Sequence, residues 1–289
     1  MKIILAQPSI KRFQWEIEVL LTNIKQFGDY EVVLLFSKHD DTVPKYLSDK
    51  YGCSVFVYDD ERDDGSYISS IRPYLWWRYL SEDQSRENET YFFIDSDIIF
   101  REMVDFATLG FDDQTWVGSD CSGYLDYNYL KSCQMGEEVM KGMADITGIT
   151  VDDIKKIPGA GAQWVITNPT ADYWLRVYED CKKLYHYLNP LNTSVQKWTA
   201  EMWAMLYGIA RIGKTVKIAK ELEFCWATDD IKRWDETKIM HNAGVVGPEE
   251  LFFKGAYVDS SPFDVDLSYV DKSKVSSKYV EAINMVKQA

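Results

Sequence analysis

The segment Tyr91 to Phe100, YFFIDSDIIF, sets Asp95 and Asp97 between two apolar runs. On an extended chain residues i and i+2 project to the same side, so the two carboxylates would converge. Like charges that close, in a partly desolvated site, resist joint ionisation unless a cation compensates them. A hard divalent cation with oxygen ligands does so, which points to Mg²⁺ or Mn²⁺ sharing its other positions with water and phosphate oxygens. The competing reading is a solvated Asp-Ser-Asp turn, a common turn composition. Against it, IIF follows at once, with no glycine or proline to reverse the chain.

The elements that would position this pair are readable from periodicity. KIILA is a short strand, and Ile17, Leu20, Leu21, Ile24 and Phe27 follow at helical spacing, with Gly28 where a C-cap belongs. EVVLLFS is a buried-type strand, a short helix ends at Gly52, and SVFVY is a third strand. Strand–helix alternation of this kind marks a parallel sheet with crossover helices. A helix through SYISSIRPYLWWRYL then delivers the chain to the aspartates, which lie at the carboxyl end of a strand, where open α/β sheets gather ligands. TWVGSD and AQWVIT read as further strands. Asn168-Pro169 reads as an N-cap and first helical residue, opening a helix to about Tyr185. WTAEMWAMLYGIARI is a helix, TVKIA and LEFCWA are strand-like, and Val275, Tyr279, Ile283 and Val286 mark a last amphipathic helix. The first half is α/β and the second α+β. No Gly/Ser/Pro-rich linker separates them, so the expectation is one domain over 1–289.

Composition narrows the partners. The formal net charge is −14, so no broad surface for nucleic acid or anionic membrane is expected. Five scattered cysteines without a CxxC pair argue against a disulfide framework or zinc ribbon and for a reducing compartment. No run approaches the ~18 apolar residues of a membrane span, and MKIILAQPSI is too short for a signal peptide, so the expected location is cytoplasmic. Aromatic residues make 15% of the chain, which suits either a stacking cleft or a thick core.

An apolar strand ending in Asp-x-Asp, after strand–helix units and a helix carrying a basic residue, resembles the GT-A class of nucleotide-sugar glycosyltransferases. KIMHNAGV, Lys238 to Val245, adds a late His-x-x-Gly, as in retaining members such as glycosyltransferase family 8. The resemblance implies a Rossmann-like, mixed but mainly parallel sheet flanked by helices, with 1–118 as the nucleotide-sugar half and 119–289 as the acceptor half. It implies Asp95, Asp97 and His241 as ligands of Mn²⁺ or Mg²⁺, which bridges the diphosphate of a sugar donor, with a UDP-sugar as the expected one. The sequence departs from family 8 where a lysine follows the glycine: Gly247 and Pro248 stand there. Lys254, beside Gly255, is the nearest substitute as phosphate clamp, with Tyr257 as its assistant; a surface lysine is the bland alternative.

The resemblance also assigns the rest of the pocket. Gln7, Pro8 and Ser9, after the first strand, would meet the nucleotide base, although a plain strand-end turn explains them as well. Asp59 or Asp60 could take a ribose hydroxyl, or simply belong to the acidic loop DDERDDG. Arg72 is preferred to Arg78 as the basic residue directed at the donor, and Ser96 joins the donor-binding set. IPGAGAQWVIT would bring small glycines close to a ligand, placing Gly161, Ala162, Gln163 and Trp164 at the sugar and acceptor subsites. Trp203 and Asn242 complete the substrate set, with Trp198 alongside. Glu201, a carboxylate among indoles, is the base if the enzyme inverts; if it retains, Glu201 or Gln163 orients the sugar. A helix start that favours glutamate explains Glu201 equally well.

Rival readings remain. A nucleotidyltransferase would need a glycine-rich phosphate loop that AQPSIKRF lacks. A non-catalytic sugar-nucleotide or glycan binder would share the aromatics. A glycan, protein, small molecule or lipid-linked sugar would serve as acceptor. A phage-type enzyme glycosylating a hydroxymethylated DNA base would need a local basic track, for which Lys155, Lys156, Lys182 and Lys183 are the candidates.

Overall fold

The structure is a computed structural model and describes residues 1–288 except Pro248. The first part alternates as expected: β1 (Lys2–Pro8), α1 (Lys11–Ile24), β2 (Val32–Ser37), α2 (Thr42–Tyr51) and β3 (Ser54–Tyr58). Then follow α3 (Ile71–Glu82), β4 (Thr90–Phe93), β5 (Ile98–Phe100) and β6 (Thr115–Asp120). Residues 121–156, for which periodicity gave no element, fold as short helices: α4 (Ser122–Leu125), α5 (Tyr127–Ser132), α6 (Gly136–Thr147) and α7 (Val151–Ile154). The chain continues with β7 (Ala160–Thr167), α8 (Ala171–Leu188), α9 (Ala200–Arg211), β8 (Thr215–Ile218) and β9 (Phe224–Trp226). It closes with α10 (Lys232–Glu236), β10 (Ile239–His241) and α11 (Ser276–Val286).

Among the described residues the strands form two sheets. The larger has the order β3-β2-β1-β4-β7-β6-β8. Its pairings are parallel except where β7 runs antiparallel to β4 and β6, so only β7 opposes the common direction. The chain winds outward from β1 to β3 and then returns to add β4 on β1's other side. That reversal between β1 and β4 is the switch point at which such sheets open a ligand crevice. The boundary expected at residue 118 falls inside β6, and β6, β7 and β8 complete the sheet begun by β1 to β4.

The second sheet, β5-β10-β9, positions the acidic turn. β4 ends in the large sheet, Asp95 to Asp97 turn, and β5 begins in the small one. The aspartates therefore lie in a turn between sheets and not on one extended strand. The register His241↔Ile98 then sets the last residue of β10 beside Asp97, and the Asn242 N–H closes on the Asp97 carbonyl at 2.8 Å. The Asn23 side chain bridges the backbone of Phe100 at 2.7 and 2.9 Å, pinning α1 to β5.

Aromatic residues chiefly build the core. Trp15, Trp76, Trp116, Trp174 and Trp203 are fully buried, and Trp76 stacks on Trp174 at 4.7 Å where α3 crosses α8. The helix after β7 starts later than expected. Thr170, not Asn168, is its N-cap, accepting from the Tyr173 N–H, while Asn168 takes φ 50° in the preceding turn. No helix among the described residues is long and apolar enough to cross a membrane.

Candidate active site

A cleft of about 290 Å³ opens at the carboxyl ends of β1 and β4. Gln7 and Pro8 line one side and Asp95, Ser96 and Asp97 its floor, with Arg72, His241 and Lys254 around them. Ligand atoms of Asp95, Asp97 and His241 all lie within 4.8 Å of one another. His241 Nε2 is 3.3 Å from Asp97 Oδ1 and 3.6 Å from Asp95 Oδ2. The imidazole is held flat by Trp226, stacked on it at 5.4 Å. Two carboxylates and one imidazole, converging on one point, form a donor set that suits Mn²⁺ or Mg²⁺.

Cations already compensate these carboxylates. Lys254 Nζ donates to Asp97 Oδ2, and Arg72 pairs with Asp95 at 3.0 Å while its other terminal nitrogen is 3.8 Å from Glu201. Burial works against the charged form of Asp97, yet Lys254 and His241 outweigh it and hold the carboxyl well below its ordinary range. Burial likewise opposes protonation of His241 and Lys254, but Asp97 prevails and raises both. Glu201 is raised by burial, against the pull of Arg72. Arg78, the alternative to Arg72, instead pairs with Glu61 at 2.7 Å.

Several expected residues sit elsewhere. Ser9 is fully buried and its hydroxyl caps the N–H groups of His39 and Asp40, so it serves the turn after β1. Asp60 is held by Arg62 through two bonds of 2.8 Å, away from the cleft lining. Tyr257 stacks on Phe252 and accepts at its carbonyl from Trp15, in the smaller apolar cluster under α11. Gly255 faces the ring of Phe253, which an added Cβ would strike at 2.3 Å. Pro248, at the place of the missing lysine, lies outside the described residues.

The Gly-Ala-Gly-Ala-Gln-Trp segment is tight for a protein reason. A Cβ on Gly159 would lie 2.7 Å from Ser122 Cα, and one on Gly161 2.7 Å from Leu125 Cδ1, so both glycines admit α4 and not a ligand. A register shift between Gly118 and Ser119 bulges β7, and Ala162, at φ 55°, reaches the cleft. Gln163 is fully buried, its oxygen accepting from Ser119 Oγ at 2.6 Å. Trp164 lies over Gly118 and Trp203 is in the core. Glu201 lies behind Arg72 and lines no wall, and the Asn242 side chain is buried without a hydrogen-bond partner among the described residues.

The cleft contains residues that sequence reasoning passed over. Arg12, Phe13 and Glu16 enter from α1, Ile68 and Ser69 from the turn before α3, Ile71 from its first residue, and Tyr124, Met202, Trp226 and Ala243 from the second half. Trp198 is 59% exposed at the rim, its carbonyl accepting from Tyr67 Oη at 2.6 Å. The Arg12/Glu16 spacing of four, just after β1, was the available signal. Of the four lysines named for a DNA track, Lys155 pairs with Asp152, Lys182 with Asp63, and Lys183 is near Asp180.

No family model matches the sequence, and no curated protein matches it. Solved structures do. The bifunctional glycosyltransferase WbbM, in its apo form, aligns with 98% of this chain at TM-score 0.51 and 11% identity. The chain spans about half of that protein, 49% of its length. An active-site mutant of LgtC aligns over 98% of this chain and 95% of its own at TM-score 0.52 and 12% identity. At such identities the likeness is one of fold: this chain has the mixed α/β fold of these glycosyltransferase structures, with a mainly parallel central sheet flanked by helices.

Proposed function

We propose that the chain is a metal-dependent glycosyltransferase of the family 8 kind, transferring a sugar from a nucleoside diphosphate donor to an acceptor hydroxyl with retention. The observation that carries this reading is the convergence of Asp95, Asp97 and His241 in a cleft that also holds Lys254 and Arg72. The whole described chain acts as one catalytic unit, β1 to β4 forming the nucleotide side and the later elements the acceptor side.

Asp95, Asp97 and His241, through Nε2, would hold the divalent ion. Bound there, it supplies positive charge to the leaving diphosphate. Lys254 adds a second charge to that diphosphate, and Gln7 and Pro8 border the space for the nucleoside, with UDP-sugars as the expected donors. Arg72 holds Asp95 in place through their ion pair, and Glu201 orients Arg72 from behind. Tyr124 and Trp226 form an aromatic wall, 6.5 Å between ring centroids, suited to a sugar face.

Retention is favoured by how the carboxylates are used. An inverting enzyme needs a free carboxylate to take the acceptor proton. Here Asp95 is held by Arg72, Asp97 by Lys254 and Glu16 by Arg12, and Glu201 is 3% exposed behind Arg72. The test is a panel of UDP- and GDP-sugars with Mn²⁺, scoring nucleoside diphosphate release. Release should vanish in Asp97→Ala and His241→Ala, both still folded by melting. Metal-independent glycan binding without release would replace the reading with a lectin-like one.

A further inference from the structure

Glu16 is fully buried beneath the Asp-Ser-Asp turn, and the reading above gives it no task beyond neutralising Arg12. Its oxygens are divided. Oε1 accepts from Arg12 Nε at 2.7 Å and Oε2 from Ser96 Oγ at 2.6 Å. One carboxylate on α1 therefore joins the middle residue of the turn to a cation one helical turn back on its own helix.

Arg12 lines the cleft beside Gln7, Asp97, His241 and Lys254, with its side chain 26% exposed. A guanidinium carries five N–H donors, and only Nε is used. Among the described residues neither terminal nitrogen donates to the protein. With Nε fixed from behind, the outer fork is free to meet two oxygens of one phosphate group side by side. The charges agree. Asp95, Asp97, Glu16 and Glu201 face Arg12, Arg72 and Lys254, and a divalent ion would leave the site positive, ready for a diphosphate.

We propose that Arg12 is a phosphate-binding residue for the donor's diphosphate, and that Glu16 is the positioning residue that aims Arg12 and fixes the turn through Ser96. This rests on the nucleotide-sugar reading. A buried carboxylate under the floor of the cleft ties the ion-binding turn and the phosphate-binding fork into one rigid unit, so their spacing is set before the donor arrives.

The test is calorimetry of the full chain with UDP plus Mn²⁺, with uridine, and with Mn²⁺ alone, repeated with GDP and guanosine. Loss of a charge-assisted contact predicts that Arg12→Met weakens nucleoside diphosphate binding roughly 10- to 100-fold, with nucleoside and Mn²⁺ binding unchanged. Arg12→Lys, which keeps the charge but not the fork, should recover part of the loss. Glu16→Gln retains an acceptor for Ser96; combined with Arg12→Met it should be no worse than Arg12→Met alone, because it acts through Arg12. Wild-type diphosphate affinity in Arg12→Met, or an equal loss for the bare nucleoside, overturns the proposal. Failure of the wild-type chain to bind either diphosphate overturns the nucleotide-sugar reading itself.

Discussion

Lys254→Met should move the metal and nucleotide affinities in opposite directions. The Lys254 ammonium occupies Asp97, with side-chain exposures of 23% and 6%, so it competes with any divalent ion for that carboxylate. At an effective dielectric of about 20, opposite charges ~4 Å apart attract by about 4 kcal/mol. Desolvation cancels part of this, leaving roughly 1.5–3 kcal/mol for a buried charged hydrogen bond. Removing the competitor should therefore tighten Mn²⁺ binding roughly 10- to 100-fold without nucleotide. With Mn²⁺ saturating, UDP binding should weaken by a similar factor, because the phosphates lose a cation. Asp97, left with His241 alone beside it, should also lower the stability of the variant by about 1–3 kcal/mol, and Mn²⁺ should restore it. The pH dependence has a definite sign. Asp97 is depressed below 3.8, so its contribution holds above that pH and fades as pH falls through the folded value. Lys254 is raised above 10.5, so its contribution holds below that pH and fades as pH rises through the folded value. Lys254 opposes the upward shift of His241, so the stability gap between wild type and variant should be narrower below pH 6.5 and widen as pH rises through the folded His241 value. Electron paramagnetic resonance of free Mn²⁺, calorimetry with UDP and melting curves measure the three quantities. Weaker Mn²⁺ binding by the nucleotide-free variant would refute the competition.

The two tryptophans flanking Glu201 should separate stability from binding. Trp203→Ala empties a fully buried site and should cost about 3–5 kcal/mol in denaturant unfolding, whereas Trp198→Ala, at the exposed rim, should cost under about 0.5 kcal/mol yet weaken substrate binding. All five cysteines are free and buried, and burial pushes the thiols of Cys53 and Cys225 up to about 11 and Cys121 to about 12. A thiol reagent at pH 8 should find no fast-reacting group in the native chain and five after denaturation; a fast native thiol would contradict the packing around α4 and β9.

The strand–helix order of the first sixty residues was legible because its apolar periodicity is local, and so was the pairing of Asp95 with Asp97. Their route together was not: the chain leaves one sheet and enters another between them, and β5 is too short to announce a change of sheet. His241 reaches the aspartates through the β5–β10 register, a contact spanning more than a hundred residues that only a family resemblance suggested. Tryptophan and glycine misled for a common reason. Trp164, Trp203 and Gly161 have types that suit a ligand pocket, yet they meet other protein atoms, and composition does not distinguish the two. Arg12 and Glu16 were hidden by the opposite effect: an i,i+4 ion pair reads as a solvated helix face, and here that face is turned into the cleft.

The most direct test is a crystal soaked with Mn²⁺ and UDP, measured at the manganese absorption edge. The account predicts one anomalous peak bounded by Asp95, Asp97 and His241 Nε2, with Lys254 released from Asp97 onto the phosphates. UDP bound elsewhere, with Lys254 still on Asp97 and no peak between the three side chains, would contradict it.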